Sequence, residues 1–521
     1  MFPFFFNGGG KLRRLSDSIE FSNPGFLIQP VEVITSSMKN VSKRIFLESL
    51  NCRTKGWFLR SQIYQEPPSE AECFLFEQGS DIGRRARMRY PDGILVGNPN
   101  IAEAINLTQR SMADENISVL FEAAFQWNDF VARADILVRL PDGWHILEVK
   151  SSLEDSEELE KHHVDDLAYT VGVARKCGTS VSKASLLLIS SEYRKGDDVD
   201  RLFMEVDYTG GVNERLSTFE PIWSEIQEKT DGPRPEPTLI GACRKCEFFA
   251  SHCLGNGIEN PITELYGIRS EKIQLLGQSN ILRIEEVPDD FDLTDVQAIA
   301  VECIKQDKTH VGESLHDELE EVVWPAYYLD FETVMTAVPL YPDIKPHEQV
   351  LTQYSIHKCS APGEIVGHTE FLAEVDRDCR RELAEKMLDE LGEEGSVLVY
   401  SSFEKTHIRT LQKMFPDLGT RLGQIVDRLF DLLPVIRRSY YHPDLHGSYS
   451  IKHVLPVLVP GMSYDDLSIG DGLSASTKFA RMAWGQFSPE EVKQTRSNLL
   501  NYCKRDTLAM VRLHEQFLNL T

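Results

Sequence analysis

Two sets of carboxylates, each carried on strand-patterned apolar sequence, constrain this chain more than any other feature. The first is Glu122, Asp135 and the run Glu148-Val149-Lys150. The second opens at Asp330-Phe331-Glu332 and closes at Tyr502 and Asp506. Residues two apart on a strand face the same side, so Glu148 projects with Lys150 and Asp330 with Glu332, while Val149 is expected to face the core. Tyr502 and Asp506 are four apart and share one face of a helix. Gathered acidic side chains suit hard divalent cations, and two such sets in order predict metal-assisted phosphodiester chemistry.

Around the first set, Ala134–Leu140 and Trp144–Val149 read as strands joined by Pro141-Asp142-Gly143, a hairpin signal. The hairpin brings Asp135 beside Glu148, so that both can hold one Mg²⁺ or Mn²⁺, with Glu122 completing the shell. Lys150 is then expected to orient the attacking water or to stabilise developing charge. A helix over Glu157–Cys177 and a strand over Ala184–Ser190 follow.

Around the second set, strands are expected at Ala326–Phe331, Gln349–His357 and Ser396–Tyr400, with helices at Glu404–Met414, Thr420–Leu429 and Pro489–Asn519. Asp330, Glu332 and Asp506 together form an acidic nest for a two-metal clamp, and Tyr502 is placed to hold the attacking water. Glu404 follows the strand Val399-Tyr400, and Asp431 lies further on in Phe430-Asp431-Leu432. The stretch Tyr440–Lys452 mixes aromatic, basic and small residues, and reads either as a loop that stacks bases or holds phosphate or as a folded loop capping the helix at Ile451.

A length of 521 residues predicts two or more domains. No apolar run is long enough to span a bilayer, and the N-terminus does not have the form of a signal peptide, so a cytoplasmic protein with no membrane partner is expected. The net charge of −26 argues against a general nucleic-acid coat but leaves room for a local basic groove. Ten cysteines in such a compartment point to a metal or redox site before disulfides. Cys243-x2-Cys246-x6-Cys253 is a compact thiolate trio, and Cys52 is a distant fourth. Four thiolates suit a 4Fe–4S cluster or zinc; the trio alone favours zinc, with His252 as a further ligand.

The stretch Glu122…Asp135…Glu148-Val149-Lys150 resembles the PD-(D/E)xK nuclease core of RecB-like enzymes. That family carries a Gln and a Tyr on the next helix; here Tyr169-Thr170 stands there, with Thr170 in the Gln position. One cysteine before such a core and three after it resemble the iron–sulfur RecB-like nucleases, which implies a structural 4Fe–4S cluster. Asp330-x-Glu332 with Tyr502-x3-Asp506 resembles the DnaQ-like, or DEDD, exonucleases of the RNase H-like fold, with Glu404 where that family has Asp; the resemblance implies Glu404 as a further metal ligand, with Asp431 an alternative. The whole resembles an uncharacterised bacterial family that joins the two, over roughly residues 40–520.

The expected fold class is α/β (α+β). The expected domains are an irregular arm over 1–35, a PD-(D/E)xK restriction-endonuclease-like domain with the iron–sulfur cysteines over 36–260, a helical acidic connector over 261–321, and an RNase H-like DEDD domain over 322–521. The resemblance implies a metal-dependent DNA exonuclease with two sites, acting in DNA repair or anti-phage defence. RNA cleavage and a catalytically decayed nucleic-acid-binding scaffold are the alternatives.

Overall fold

The computed structural model describes residues 40–63, 67–153 and 157–520. The expected arm over 1–35 lies outside them. The chain is mixed α/β with two mixed sheets, and divides into two compact units at Glu236–Pro237. Two short stretches, 67–75 and 193–197, cluster with the second unit. Among the described residues no helix is long and apolar enough to cross a membrane.

The first unit is built on a six-stranded sheet in sequential order: β1 (Ile94–Leu95), β2 (Val119–Trp127), β3 (Phe130–Leu140), β4 (Gly143–Leu153), β5 (Val181–Ile189) and β6 (Phe203–Asp207). The turn between β3 and β4 falls at Pro141-Asp142, as its composition requires. β4 and β5 are parallel and are connected by the helix Glu157–Lys176. Parallel neighbours need such a crossover.

That helix and the helix Lys43–Asn51 cover one face of the sheet. Ser42 caps the latter by accepting the Ile45 N–H. Phe46 sits at the centre of the core, with ring centroids 4.4 Å from Trp223 and 5.0 Å from both Tyr169 and Phe219. Burial on this scale stabilises by about 1.5–3 kcal/mol per aromatic side chain, so this cluster fixes both helices against the strands.

In the second unit, the short β7 (His310–Val311) precedes β8 (Ala326–Val334), β9 (Val350–Cys359), β10 (Ile365–Leu372), β11 (Val397–Val399) and β12 (Leu429–Asp431). The five-stranded sheet has the order β10-β9-β8-β11-β12. β8, β9 and β10 are antiparallel neighbours, whereas β8, β11 and β12 run parallel. The helix Pro489–Asn519 packs on β8 and β9. Its start is sharply specified: Pro489 stands in the first turn, and Ser488 and Glu491 form a capping box.

Residues 261–321 do not form a separate connector. They carry the short helices Ser270–Gln278, Asp295–Gln306 and Leu315–Glu320. Ile262, Leu265, Ile268, Ile273 and Ile284 are buried in the same core as the five-stranded sheet. β7 pairs with β13 (Tyr440–Tyr441). Acidic composition concealed this, because the apolar residues that anchor the segment are spaced between exposed charges.

Candidate active sites

In the first unit, strand register aligns the predicted residues. Phe121 pairs with Ile136 and Ala123 with Ala134, which sets Glu122 opposite Asp135. The ladder between β3 and β4 ends at Ile136–Leu147. There the Asp135 carboxylate takes over, accepting the Val149 N–H at 2.7 Å. Glu122 has φ of +58°, a left-handed backbone inside a strand. A non-glycine residue held in that region is strained by roughly 1–3 kcal/mol and is enriched at functional sites.

Glu148 and Lys150 project together, with Lys150 Nζ 3.1 Å from Glu148 Oε1. Val149 is only half-buried on the opposite side, rather than in the core, because the face under the two helices is the one that carries Glu148 and Lys150. Two partners escaped the sequence reading. Lys43, from the helix Lys43–Asn51, donates to the same Glu148 Oε1 at 2.6 Å. Asp166, from the helix Glu157–Lys176, is buried and pairs with Lys150. Desolvation and the carboxylates of Glu148 and Glu122 hold the Asp135 acid well above the usual range. Desolvation would favour neutral Lys150, but Asp166 and Glu148 outweigh it and keep the ammonium charged.

Tyr169 and Thr170 do not reach the site. The Tyr169 hydroxyl donates to the carbonyls of Val41 and Val131, and Thr170 donates to Asp166 O within its own helix. The helix contributes Asp166 instead, one turn earlier. His162 is exposed, and His163 bonds Ser152 Oγ at 2.7 Å.

In the second unit, Asp330 and Glu332 on β8 and Asp506 on the helix Pro489–Asn519 come together, with one oxygen from each lying within 4.8 Å of the others. Among the described residues one further group meets this criterion, the solvent-facing His316, Asp317 and Glu320. The nest is electrostatically loaded. Desolvation, then Asp506, Glu332 and Glu404, raise Asp330 well above its ordinary value. Desolvation and Asp506 do the same to Glu332. Asp506 is pushed up by desolvation to about 6, with Tyr464 and Lys452 opposing the rise.

Glu404 lies in the first turn of the helix Phe403–Met414, outside the triad. It is 3% exposed, and burial pushes it up to about 8. Asp431 ends β12 and caps the following helix by accepting the Leu433 N–H at 3.1 Å.

Tyr502 shares the helix face of Asp506 and is buried. Lys452 Nζ donates to the Tyr502 hydroxyl at 3.0 Å. Tyr464, a residue with no motif around it, donates to Asp506 Oδ1 at 2.5 Å. Cys503 Sγ lies 3.3 Å from Asp330 Oδ2. The stretch Tyr440–Lys452 is not an aromatic platform for bases: Tyr440, Tyr441 and Tyr449 are buried core. It also turns tightly at Gly447 (φ +70°), where a Cβ would stand 1.6 Å from Glu264 O. Only Lys452 at its end turns to the acidic nest.

The four cysteines divide between the units: Cys52 belongs to the first, and Cys243, Cys246 and Cys253 to the second. Cys52 caps the helix Arg53–Arg60, its sulfur accepting the Lys55 N–H at 3.4 Å. Cys243 Sγ accepts the Ile240 N–H at 3.4 Å. Cys246 follows the single turn Gly241–Lys245, and Cys253 follows the short helix Phe249–His252.

A family model described as "Domain of unknown function (DUF2779)" matches residues 327–450. The matched stretch contains Asp330, Glu332, Glu404 and Asp431, and ends before Lys452, Tyr464, Tyr502 and Asp506. An uncharacterized protein of Ureaplasma parvum serovar 3, UU173, is 26% identical over 205 residues, covering 35% of this chain and 30% of that protein.

Proposed function

We propose that this protein is a metal-dependent nuclease that hydrolyses phosphodiester bonds in DNA, with its better-assembled centre in the C-terminal unit. The observation that carries this reading is the nest of Asp330, Glu332 and Asp506, whose oxygens lie within 4.8 Å of one another. Such a donor set fits Mg²⁺ or Mn²⁺, since hard cations take carboxylate oxygens and offset the desolvation that raises all three acids and the repulsion that raises Asp330 and Glu332 further. Bound ions of this kind polarise a phosphate and make water nucleophilic near neutral pH. Tyr502 supplies a fixed hydroxyl beside the carboxylates, positioned to orient that water.

The strand order β10-β9-β8-β11-β12 supports an RNase H-like fold of the DEDD type for this unit, since the two acids of β8 then stand on the central strand. In the N-terminal unit, the alignment of Glu122, Asp135 and Glu148 across three strands supports a PD-(D/E)xK-like fold with a second site. One observation favours a second reading there. Lys43 and Lys150 both hold Glu148 Oε1, which suits a unit that binds nucleic acid without cutting it. An iron–sulfur cluster held by Cys243, Cys246 and Cys253 within the second unit is also proposed. The backbone N–H donor to the sulfur of Cys243 favours a thiolate ligand.

The test is one panel. Labelled single- and double-stranded DNA and RNA are incubated with Mn²⁺ and wild type, Lys150→Ala, Asp330→Ala or the double variant. Loss of DNA cleavage in Asp330→Ala is expected. Cleavage of RNA alone would move the substrate to RNA, and cleavage surviving in the double variant would sink both sites. Purified protein should be brown and lose its colour in Cys246→Ser; colourless, zinc-loaded protein would overturn the cluster.

A further inference from the structure

Lys452 is a cation placed among acids, with no carboxylate in direct contact among the described residues. Its ammonium donates to the Gly470 carbonyl at 2.6 Å and to the Tyr502 hydroxyl at 3.0 Å. It also lies 5.1 Å from the ring centroid of Tyr502 and 5.4 Å from that of Tyr464. The two rings are 6.2 Å apart, so Lys452 lies close to both. The Tyr464 hydroxyl in turn donates to Asp506 Oδ1.

The directions of these hydrogen bonds have a consequence. An ammonium only donates, so the Tyr502 oxygen accepts from Lys452. The phenolic proton of Tyr502 is then turned away from Lys452 and toward the Asp506 side. A phenol that accepts from a cation is also a stronger donor, because the bonds of a chain polarise one another. Lys452 thereby fixes which way Tyr502 offers its proton, and adds a positive charge that favours the ionised forms of Glu332 and Asp506.

We propose that Lys452 is a positioning residue of the C-terminal site, acting through Tyr502 to orient the hydroxyl that faces the attacking water. The proposal rests on the nuclease reading of this site. It requires no covalent step by Lys452, which keeps its proton throughout. The lysine also lies outside the matched stretch 327–450, together with Tyr464, Tyr502 and Asp506.

The experiment compares wild type, Lys452→Met, Lys452→Arg, Tyr502→Phe, the double variant Lys452→Met/Tyr502→Phe, and Asp330→Ala in the full chain. Lys452→Met is expected to lower kcat by about tenfold to a hundredfold with KM changed less than about threefold, and Lys452→Arg to restore part of it. Added to Tyr502→Phe, the same substitution should cost almost nothing, since its effect passes through the hydroxyl already removed.

Mn²⁺ affinity, measured by calorimetry without substrate, gives a readout apart from activity. Lys452→Met should bind Mn²⁺ at least as tightly as wild type, because a like charge has been taken from beside the carboxylates. A parallel fall in Mn²⁺ affinity and kcat would overturn the proposal, since the lysine would then merely hold the nest together. Additive costs in the double variant, or unchanged kcat in Lys452→Met, would overturn it too. Should Asp330→Ala cut as well as wild type, the nuclease reading of this site falls, and the role of Lys452 with it. Loss in Asp330→Ala beside a wild-type Lys452→Met removes only the lysine.

Discussion

Lys43 Nζ lies 2.6 Å from Glu148 Oε1, an ion pair between residues 105 apart in sequence. It ties the helix Lys43–Asn51 to β4 at the carboxylate that Lys150 also contacts. Lys43→Met removes a charge-assisted hydrogen bond to a buried acid, and should destabilise the N-terminal unit by about 1.5–3 kcal/mol. Urea unfolding followed by tryptophan fluorescence checks this, since Trp223 is in that unit's core. A midpoint equal to that of wild type would show the pair to be energetically idle.

Asp166 holds Lys150 from the helix Glu157–Lys176. Asp166→Asn keeps the shape and removes the charge. In an Asp330→Ala background, cleavage that depends on Lys150 should fall about tenfold to a hundredfold, the usual cost of losing a group that orients a site residue. Residual cleavage unchanged by Asp166→Asn would count against a working site in this unit.

The acids of the C-terminal nest repel one another, so metal and stability should be linked. Mn²⁺ is expected to raise the Tm of the wild-type protein by about 5 °C at concentrations well above its Kd. Asp330→Asn should raise the Tm of protein kept in chelator and abolish the response to Mn²⁺. A lower Tm in chelator would mean that Asp330 holds the structure together through its other contacts.

His514 gives a pH dependence that does not involve the nest. It is fully buried, its ring stacked on Trp324 with centroids 6.0 Å apart and its Nδ1 2.8 Å from the Tyr328 hydroxyl. Burial lowers its pKa from 6.5 to about 4. The unfolded chain therefore binds a proton that the folded chain refuses across that interval. The contribution is fully present above pH 6.5 and is lost as pH falls toward 4. His514→Phe should flatten the acid side of the stability profile by up to about 3 kcal/mol. Denaturant midpoints at several pH values measure it, and parallel profiles would exclude His514 as the source.

The strands that bear the acids were legible because alternation and turn chemistry are local. Pro141-Asp142-Gly143 marks the hairpin, and the closing helix Pro489–Asn519 announces itself through Ser488, Pro489 and Glu491. Spacing puts Asp330 and Glu332 on one strand face, and packing brings Asp506 to them from the helix Pro489–Asn519. What escaped was whatever depends on which helix lies over which strand. Lys43, Asp166 and Tyr464 look like ordinary helix or loop residues until packing turns them inward. β10 was also missed, because its exposed residues leave little apolar alternation to read. The aromatic run at Tyr440–Tyr449 misled for the opposite reason: its rings resemble a binding surface in sequence, yet they fill the core.

The acids of β8 stand near the start of the C-terminal unit's sheet, and Asp506 stands on its final helix. During synthesis, β8 leaves the ribosome long before the carboxylate that completes its nest. A nascent chain therefore carries two unpaired acids on an exposed strand and no assembled centre. The nest can assemble only once the helix Pro489–Asn519 has been translated and has docked on β8 and β9.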